Sequence, residues 1–308
     1  MSNKTIITAA LTGAVTPKSI NENMPISPEE IAADAYACWQ AGASIVHLHM
    51  RDADGKGIMD AAQFKKTVDL IRAYKDCDVV INCTSSGSRV PVSDEVRMEH
   101  FKTIPEIEMG SYDVGSFNWG CETIFENSPA FLTELAQCYL DNEVLPELEI
   151  FDMGMLTNAN YYVKKGLLKA PLYCQIALGI LGGAPAEVDN LMFLVNHLPP
   201  GTRWSAFGIG KQHLPIMYAA LALGADGIRV GLEDNVLYAK DVKATNVMLV
   251  ERAVRVVKEF GKQPATSAEA REILGIKPFV QKMGGEQFES TQRCSNRGLR
   301  QVAAGQGK

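Results

Sequence analysis

The sequence predicts an α/β protein, a (β/α)8 TIM barrel in a single domain over residues 1–279, with a C-terminal extension over 280–308. Three observations carry that reading. Short apolar runs rich in β-branched residues alternate with longer amphipathic stretches along the chain. The strand-like runs number eight, as a barrel of this length requires. Polar and ionisable residues collect at the C-terminal ends of those runs, the rim where such barrels place their sites. The rival, a doubly wound open sheet, lacks its signals: no Gly-x-Gly-x-x-Gly follows the first strand, and no Walker A loop occurs.

The first strand, Thr5–Leu11, ends at Thr12-Gly13. Ser27-Pro28-Glu29-Glu30 then opens a helix as a capping box with proline at the first helical position; Ile31, Ala35, Cys38 and Trp39 form its apolar face, and Gly42 follows its end. The second strand, Ser44–Met50, carries His47 and His49 ahead of Arg51-Asp52. The third, Val79–Thr84, runs into Ser85-Ser86-Gly87, and the fourth, Ile107–Val114, carries Ser111 and Asp113 ahead of Asn118. Ser128-Pro129 opens a helix with Phe131, Leu132, Leu135 and Tyr139 on one side. Leu148–Met153 is the fifth strand, with Glu149 and Asp152; Leu172–Leu178 is the sixth, with Gln175, and a helix over Ala186–Leu198 follows. Arg203–Ile209, the seventh, leads to a helix over Leu214–Leu223. Gly227–Val230, the eighth, holds Arg229 and runs into Glu233-Asp234, before helices over Val247–Phe260 and Ser267–Leu274. From about Val280 the periodicity gives way to Gly, Gln, Ser and Arg, which reads either as an arm lying on a neighbouring subunit or as disorder.

Bulk properties narrow the function classes. A net charge of −6 argues against non-specific nucleic-acid binding. No apolar run is long enough to span a membrane, and the N-terminus shows no signal-peptide cleavage site. The 7 cysteines are scattered, with no Cys-x-x-Cys, as expected of reduced thiols in the cytoplasm.

Two of the chain's 5 histidines stand one residue apart in a strand. Residues i and i+2 of a strand share a face, so His47 and His49 point the same way and make half of a metal site. The alternative is a pair hydrogen-bonded within the core. His100, His197 and His213 are poor third ligands, lying in or beside helices, whereas Glu233 and Asp234 reach the same rim after strand eight. Two histidines and a carboxylate leave an open position for a substrate carbonyl; alternatively, Glu233-Asp234 is an acidic capping turn. Turn propensity does not explain Glu149 or Arg229, which interrupt apolar strands.

Taken together, "TAALTGA", "QAGASIVHLHMRDADG", "ELEIFDMGM", "LGILGG", "GIG" and "IRVGLEDN" resemble the β-keto acid cleavage enzymes, whose type member acts on 3-keto-5-aminohexanoate. The resemblance covers about residues 5–280. It implies a TIM barrel, a divalent metal, usually zinc, and acetyl-CoA as co-substrate, with acetoacetate and a new acyl-CoA as products. It also implies a homo-oligomer, a tetramer. Carried over by position, His47, His49 and Glu233 hold the metal. Thr84 and Gly87 hold the substrate carboxylate, and Ser111 binds substrate. Glu149, Arg229 and Asp234 form a charged relay, with Asp234 the base or base relay acting on the acetyl methyl of acetyl-CoA. One position departs: an acidic residue that meets the substrate amine in the aminohexanoate enzyme is Val15 here, which favours a β-keto acid with an uncharged side chain. Lys18 is the rival selector, for an anionic substrate. Arg89 either meets a CoA phosphate or is solvated. Two other classes stay open, a metal-dependent hydrolase on the same barrel and a non-catalytic metal-binding protein.

Overall fold

A computed structural model describes residues 3–277, so the expected arm over 280–308 lies outside the described residues. Eight parallel strands close on themselves: β1 (Lys4–Ala10), β2 (Ile45–Leu48), β3 (Val80–Cys83), β4 (Met109–Asp113), β5 (Leu145–Ile150), β6 (Tyr173–Leu178), β7 (Arg203–Gly208) and β8 (Gly227–Val230). Closure is the β8–β1 pairing, with Thr8 opposite Arg229. Outside lie α1 (Pro28–Ala41), α2 (Ala61–Ala73), α3 (Asp94–Thr103), α4 (Pro129–Asp141), α5 (Met153–Lys164), α6 (Val188–Asn196), α7 (His213–Ala222) and α8 (Asn246–Glu259), with α9 (Ser267–Leu274) after them. This is the predicted (β/α)8 barrel. Ser27 and Ser128 cap α1 and α4, each with proline in the first turn.

Strand alternation separates two environments. Ile7, Ala9, Val46, Leu48, Ile81, Leu148 and Ile176 pack outward against the helices in the main core. The inward set is polar in the middle of the barrel, with Thr8, His47, Asn82, Glu147, Gln175 and Arg229 all buried. Below them Ile6, Ile45, Val80, Met109 and Tyr173 form an apolar floor, which Ala270 and Leu274 of α9 close from outside. A barrel plugged at the N-terminal end and polar above it can receive a ligand from the C-terminal rim alone.

Most strand ends shift by one or two residues from expectation, and three boundaries bear on the site or shift further. Strand five starts at Leu145 rather than Leu148, because Pro146-Glu147 breaks the apolar run without breaking the strand. It ends at Ile150, and Asp152 is the N-cap of α5, accepting from Met155 N at 2.9 Å, rather than a rim group. Strand two ends at Leu48; His49 stands just past it, before Met50–Arg51 pairs back onto Gly57–Ile58. Helices α2, α3 and α5 lie outside the sequence-predicted set although Asp60, Ser93 and Asp152 cap them: α3, DEVRMEHFKT, is too polar to show a face, and α5 opens inside a stretch that reads as strand.

Glu108 anchors the barrel floor. It is fully buried, and Arg271 of α9 holds it with Nε and Nη2 at 2.7 and 2.8 Å, with Arg72 Nη2 at 3.3 Å. Removing one charge from such a buried set leaves its partners uncompensated, at a cost of about 3–5 kcal/mol. Glu108→Gln is therefore expected to lower unfolding free energy by about that amount; urea denaturation reads it, and an unchanged midpoint contradicts the anchoring role.

Candidate active site

The chain places the first carboxylate by close backbone approach. A Cβ on Gly231 would stand 1.9 Å from Ala10 O, so only glycine lets the segment after β8 pass the end of β1. That passage brings Glu233 N onto Ala10 O at 3.2 Å and swings the Glu233 side chain over the barrel mouth. Gly13, at φ +61°, leaves the space it needs: a Cβ there would meet Glu233 Cγ at 2.6 Å. The carboxylate then stands 3.3 Å from His49 Nε2 and 3.8 Å from His47 Nε2. The donor atoms of the three residues lie within 4.8 Å of one another.

These residues suit a divalent metal. Glu233 Oε2 and both histidine Nδ1 atoms are buried without a hydrogen-bond partner among the described residues. Burial pushes the His47 imidazole down to about 3, so it is neutral and keeps a lone pair. Burial alone would raise the Glu233 carboxyl, but His49 and Arg229 outweigh it and hold the group well below its ordinary range. Neutral imidazole and ionised carboxylate are the forms that bind metal.

Arg229 joins this cluster to a second one. From inside the barrel its Nε and Nη2 reach Asp234 Oδ2 and Oδ1, both at 2.9 Å, in a two-pronged pair. Nη2 also donates to Glu233 Oε1 at 2.8 Å, and Nη1 to Glu149 Oε1 at 3.2 Å. The guanidinium lies 4.4 Å from the centre of the Phe207 ring. Burial pushes Asp234 up to about 6 while Arg229 pulls it back. Burial and then Asp113 drive Glu149 well above its usual range. Asp113 faces Glu149 in the β4–β5 register, hydrogen-bonds with it, and accepts from Ser86 Oγ at 2.8 Å. Two adjacent buried carboxyls do not both ionise, so this pair keeps a proton.

The structure thus brings His47, His49 and Glu233 together, and Glu149, Arg229 and Asp234 together; that Arg229 also grips Glu233 is new. Other expected residues are placed differently. Thr84 is buried, with Oγ1 accepting from Ser86 N at 3.0 Å, and Gly87 packs so closely on His49 that a Cβ would stand 2.9 Å from Nδ1. The Gly87 amide points to Met59 Sδ at 3.2 Å, a weak acceptor that a carboxylate would outcompete. Ser111 Oγ accepts from Ser85 N at 3.0 Å and braces this loop from below. Val15 is 52% exposed on the loop after β1. Lys18 pairs with Glu30 at 2.6 Å on the outside of α1. Arg89 is exposed. His100 is buried, stacked on Phe64 with its Nε2 at 3.0 Å from Thr84 O.

Four contributors have no role in the sequence reading, which places Arg51 and Asp113 at strand ends without assigning them one and leaves Glu147 out. Arg51 is buried and clamps the loop after β1 through Gly13 O at 2.7 Å, Thr12 O at 2.5 Å and Thr16 O at 2.8 Å. Asp113, Asn82 and Glu147 face inward, and burial pushes Glu147 up to about 7. The signal for two of them was present: Glu147 shares a strand face with Glu149, and Asp113 with Ser111.

The chain matches the family model described as "beta-keto acid cleavage enzyme" over residues 4–276. It is 38% identical over 274 residues to a 3-keto-5-aminohexanoate cleavage enzyme of Acetoanaerobium sticklandii, covering 89% of this chain and 98% of that one. It is 34% identical to a 3-dehydrocarnitine:acetyl-CoA trimethylamine transferase of Rhizobium meliloti, covering 90% and 98%. Among solved structures, apo ObcA superposes with a TM-score of 0.74 at 20% identity, over 82% of this chain and 66% of that one, which is a likeness of fold.

The charge arrangement makes its own prediction. Arg229→Met keeps the side-chain length but strips Glu149 and Asp234 of their counter-charge. Breaking a buried ion network in this way costs about 3–5 kcal/mol, so the variant should unfold at markedly lower temperature; a melting temperature equal to the parent's contradicts the network.

Proposed function

Because the chain belongs to the beta-keto acid cleavage enzyme family, we propose that it moves the acyl part of a β-keto acid onto CoA, with acetyl-CoA as co-substrate and acetoacetate as second product. It is a carbon–carbon-cleaving acyltransferase. The metal-dependent hydrolase and the non-catalytic metal-binding protein are set aside by that membership. The observation that carries the reading is the single guanidinium of Arg229 holding Glu233 and Asp234 at once.

Atom balance corrects one expectation. Acetoacetate contains an acetyl group joined to a CH2–carboxylate, so the carbon acid is C2 of the β-keto acid, not the methyl of acetyl-CoA. C2 loses a proton and bonds to the acetyl carbonyl carbon as the acetyl C–S bond breaks. The released thiolate then adds to the former ketone carbon, the bond from that carbon to C2 breaks, and C2 takes the proton back. Acetoacetate and the new acyl-CoA result, with no oxidant or reductant.

His47, His49 and Glu233 would hold the metal, for which zinc suits two imidazoles and a carboxylate. When bound, such an ion polarises the ketone and stabilises negative charge on its oxygen. Asp234 is the base at C2: burial makes it more basic than an ordinary carboxylate, and the two-pronged Arg229 contact fixes its direction. Glu149 holds Arg229 from the other side. The loop of Thr84 to Gly87 receives the substrate carboxylate, with Ser111 bracing it. The same reading takes the enzyme as a cytoplasmic homo-oligomer; among the described residues the cysteines are free thiols.

The substrate side chain is read from the loop after β1. Val15 offers no charge there, and Lys18 is engaged by Glu30. A β-keto acid with an uncharged side chain fits that loop.

Acetyl-labelled acetyl-CoA, supplied with a panel of β-keto acids, should yield labelled acetoacetate; label that never reaches acetoacetate rules out the reaction. Elemental analysis should find about one divalent ion per chain, lost in Glu233→Gln; retention of the ion in that variant contradicts the ligand set. An ammonium placed against a partnerless wall loses about 1–3 kcal/mol, or roughly 10- to 100-fold in selectivity. The parent should accordingly favour 3-oxohexanoate over 3-keto-5-aminohexanoate in kcat/KM, and Val15→Glu should move the ratio toward the amine by about that factor. A parent that prefers the amine contradicts the assignment.

A further inference from the structure

We propose that Asn82 and Glu147 act as positioning residues for His47: a buried brace, running across the barrel interior, that fixes which imidazole nitrogen faces the metal. The inference rests on the reading of His47, His49 and Glu233 as metal ligands and goes one layer beneath it.

His47 and Asn82 are direct neighbours in the β2–β3 register, and both side chains face the barrel interior, where they are buried. Asn82 Nδ2 donates to Glu147 Oε2 at 2.5 Å. That contact decides the orientation of the amide. Nδ2 is the amide atom on Glu147 Oε2, which accepts whether Glu147 is ionised or carries its proton on the unpaired Oε1, so the Asn82 oxygen faces elsewhere. Asn82 Oδ1 is buried and has no partner among the described residues. On the adjacent strand, His47 Nδ1 is buried and likewise without one. One is an acceptor with nothing to accept. The other, in the Nδ1–H tautomer, is a donor with nothing to receive its proton. A buried polar atom left unpaired costs free energy, and the His47 and Asn82 side chains, close enough to interact, can pair both at once.

The direction of that pairing agrees with the site. His47 Nε2 already faces Glu233, at 3.8 Å, so Nε2 is the atom offered to the ion and Nδ1 the atom turned inward. Metal-bound histidines regularly donate their second N–H to a fixed acceptor, which sets the tautomer and the ring plane. Here the acceptor is an amide, itself held by a carboxylate two strands away. His49 has no counterpart brace: its Nδ1 lies against Gly87, with no partner among the described residues.

The test uses the full-length chain and zinc, with affinity measured by competition against a chromogenic chelator. Asn82→Leu removes the acceptor at similar volume and should weaken zinc binding roughly 10- to 100-fold. Glu147→Gln keeps an oxygen that can accept from Asn82 and should stay within a few-fold of the parent. The second readout needs no variant. In zinc-loaded parent with 15N-histidine, His47 Nδ1 should carry a proton in a hydrogen bond and Nε2 should show the metal-bound shift. Parent affinity in Asn82→Leu, or zinc on Nδ1 of His47 in the parent, overturns the brace while Glu233→Gln still loses the ion. A parent that binds no zinc more tightly than Glu233→Gln overturns the metal reading, and the brace falls with it.

Discussion

A single buried guanidinium organises the barrel. Arg229 meets three carboxylates, those of Asp234, Glu233 and Glu149, and its own charge is secured by them. Five acids, Asp113, Glu147, Glu149, Glu233 and Asp234, are gathered in and over the barrel interior, with no other arginine or lysine bonded to any of them among the described residues. Isolated charges in such a space are very costly, so the acids must be paired, protonated or bound to a cation. The structure divides them along those lines. Glu233 stays ionised beside the histidines, Asp234 is poised at moderately raised basicity, and Asp113 and Glu149 keep a proton between them. Different roles for chemically similar groups follow from position alone.

That division depends on backbone features remote from the chemistry. Gly231 lets the segment after β8 cross the end of β1, and Gly13 leaves room for the Glu233 side chain. Arg51 ties the loop after β1 down through carbonyl oxygens where it borders the site. At the opposite end the Glu108–Arg271 pair and α9 seal the floor. The interior is therefore closed below and organised above, as a site entered from the C-terminal rim requires.

Much of this was legible in the chain. His47-x-His49 could be placed on one face from the period of a strand, and Glu149 and Arg229 stood out because they interrupt apolar runs. The gaps have physical causes. Glu147 follows Pro146, and the pair disguised the start of β5, so an inward acid next to a recognised one was passed over. Asp152 looked like a rim acid but serves as a helix cap, a role set by where β5 stops. Arg51 read as part of a charged turn, since nothing local shows that its guanidinium folds back onto carbonyls of another loop. The grip of Arg229 on Glu233 comes from the crossing at Gly231, and no pattern along the sequence reports it.

The central claim is that Arg229 joins a metal-binding half of the site to a base that works on C2 of the β-keto acid. Exchange of the C2 protons with deuterated water, followed by NMR on metal-loaded protein without acetyl-CoA, tests it most directly. The account predicts exchange well above the solvent background in the parent. It predicts loss of that exchange in Asp234→Asn, with metal content unchanged. Exchange that persists in Asp234→Asn at the parent's rate would contradict the assignment of the base and the partnership that Arg229 is held to create.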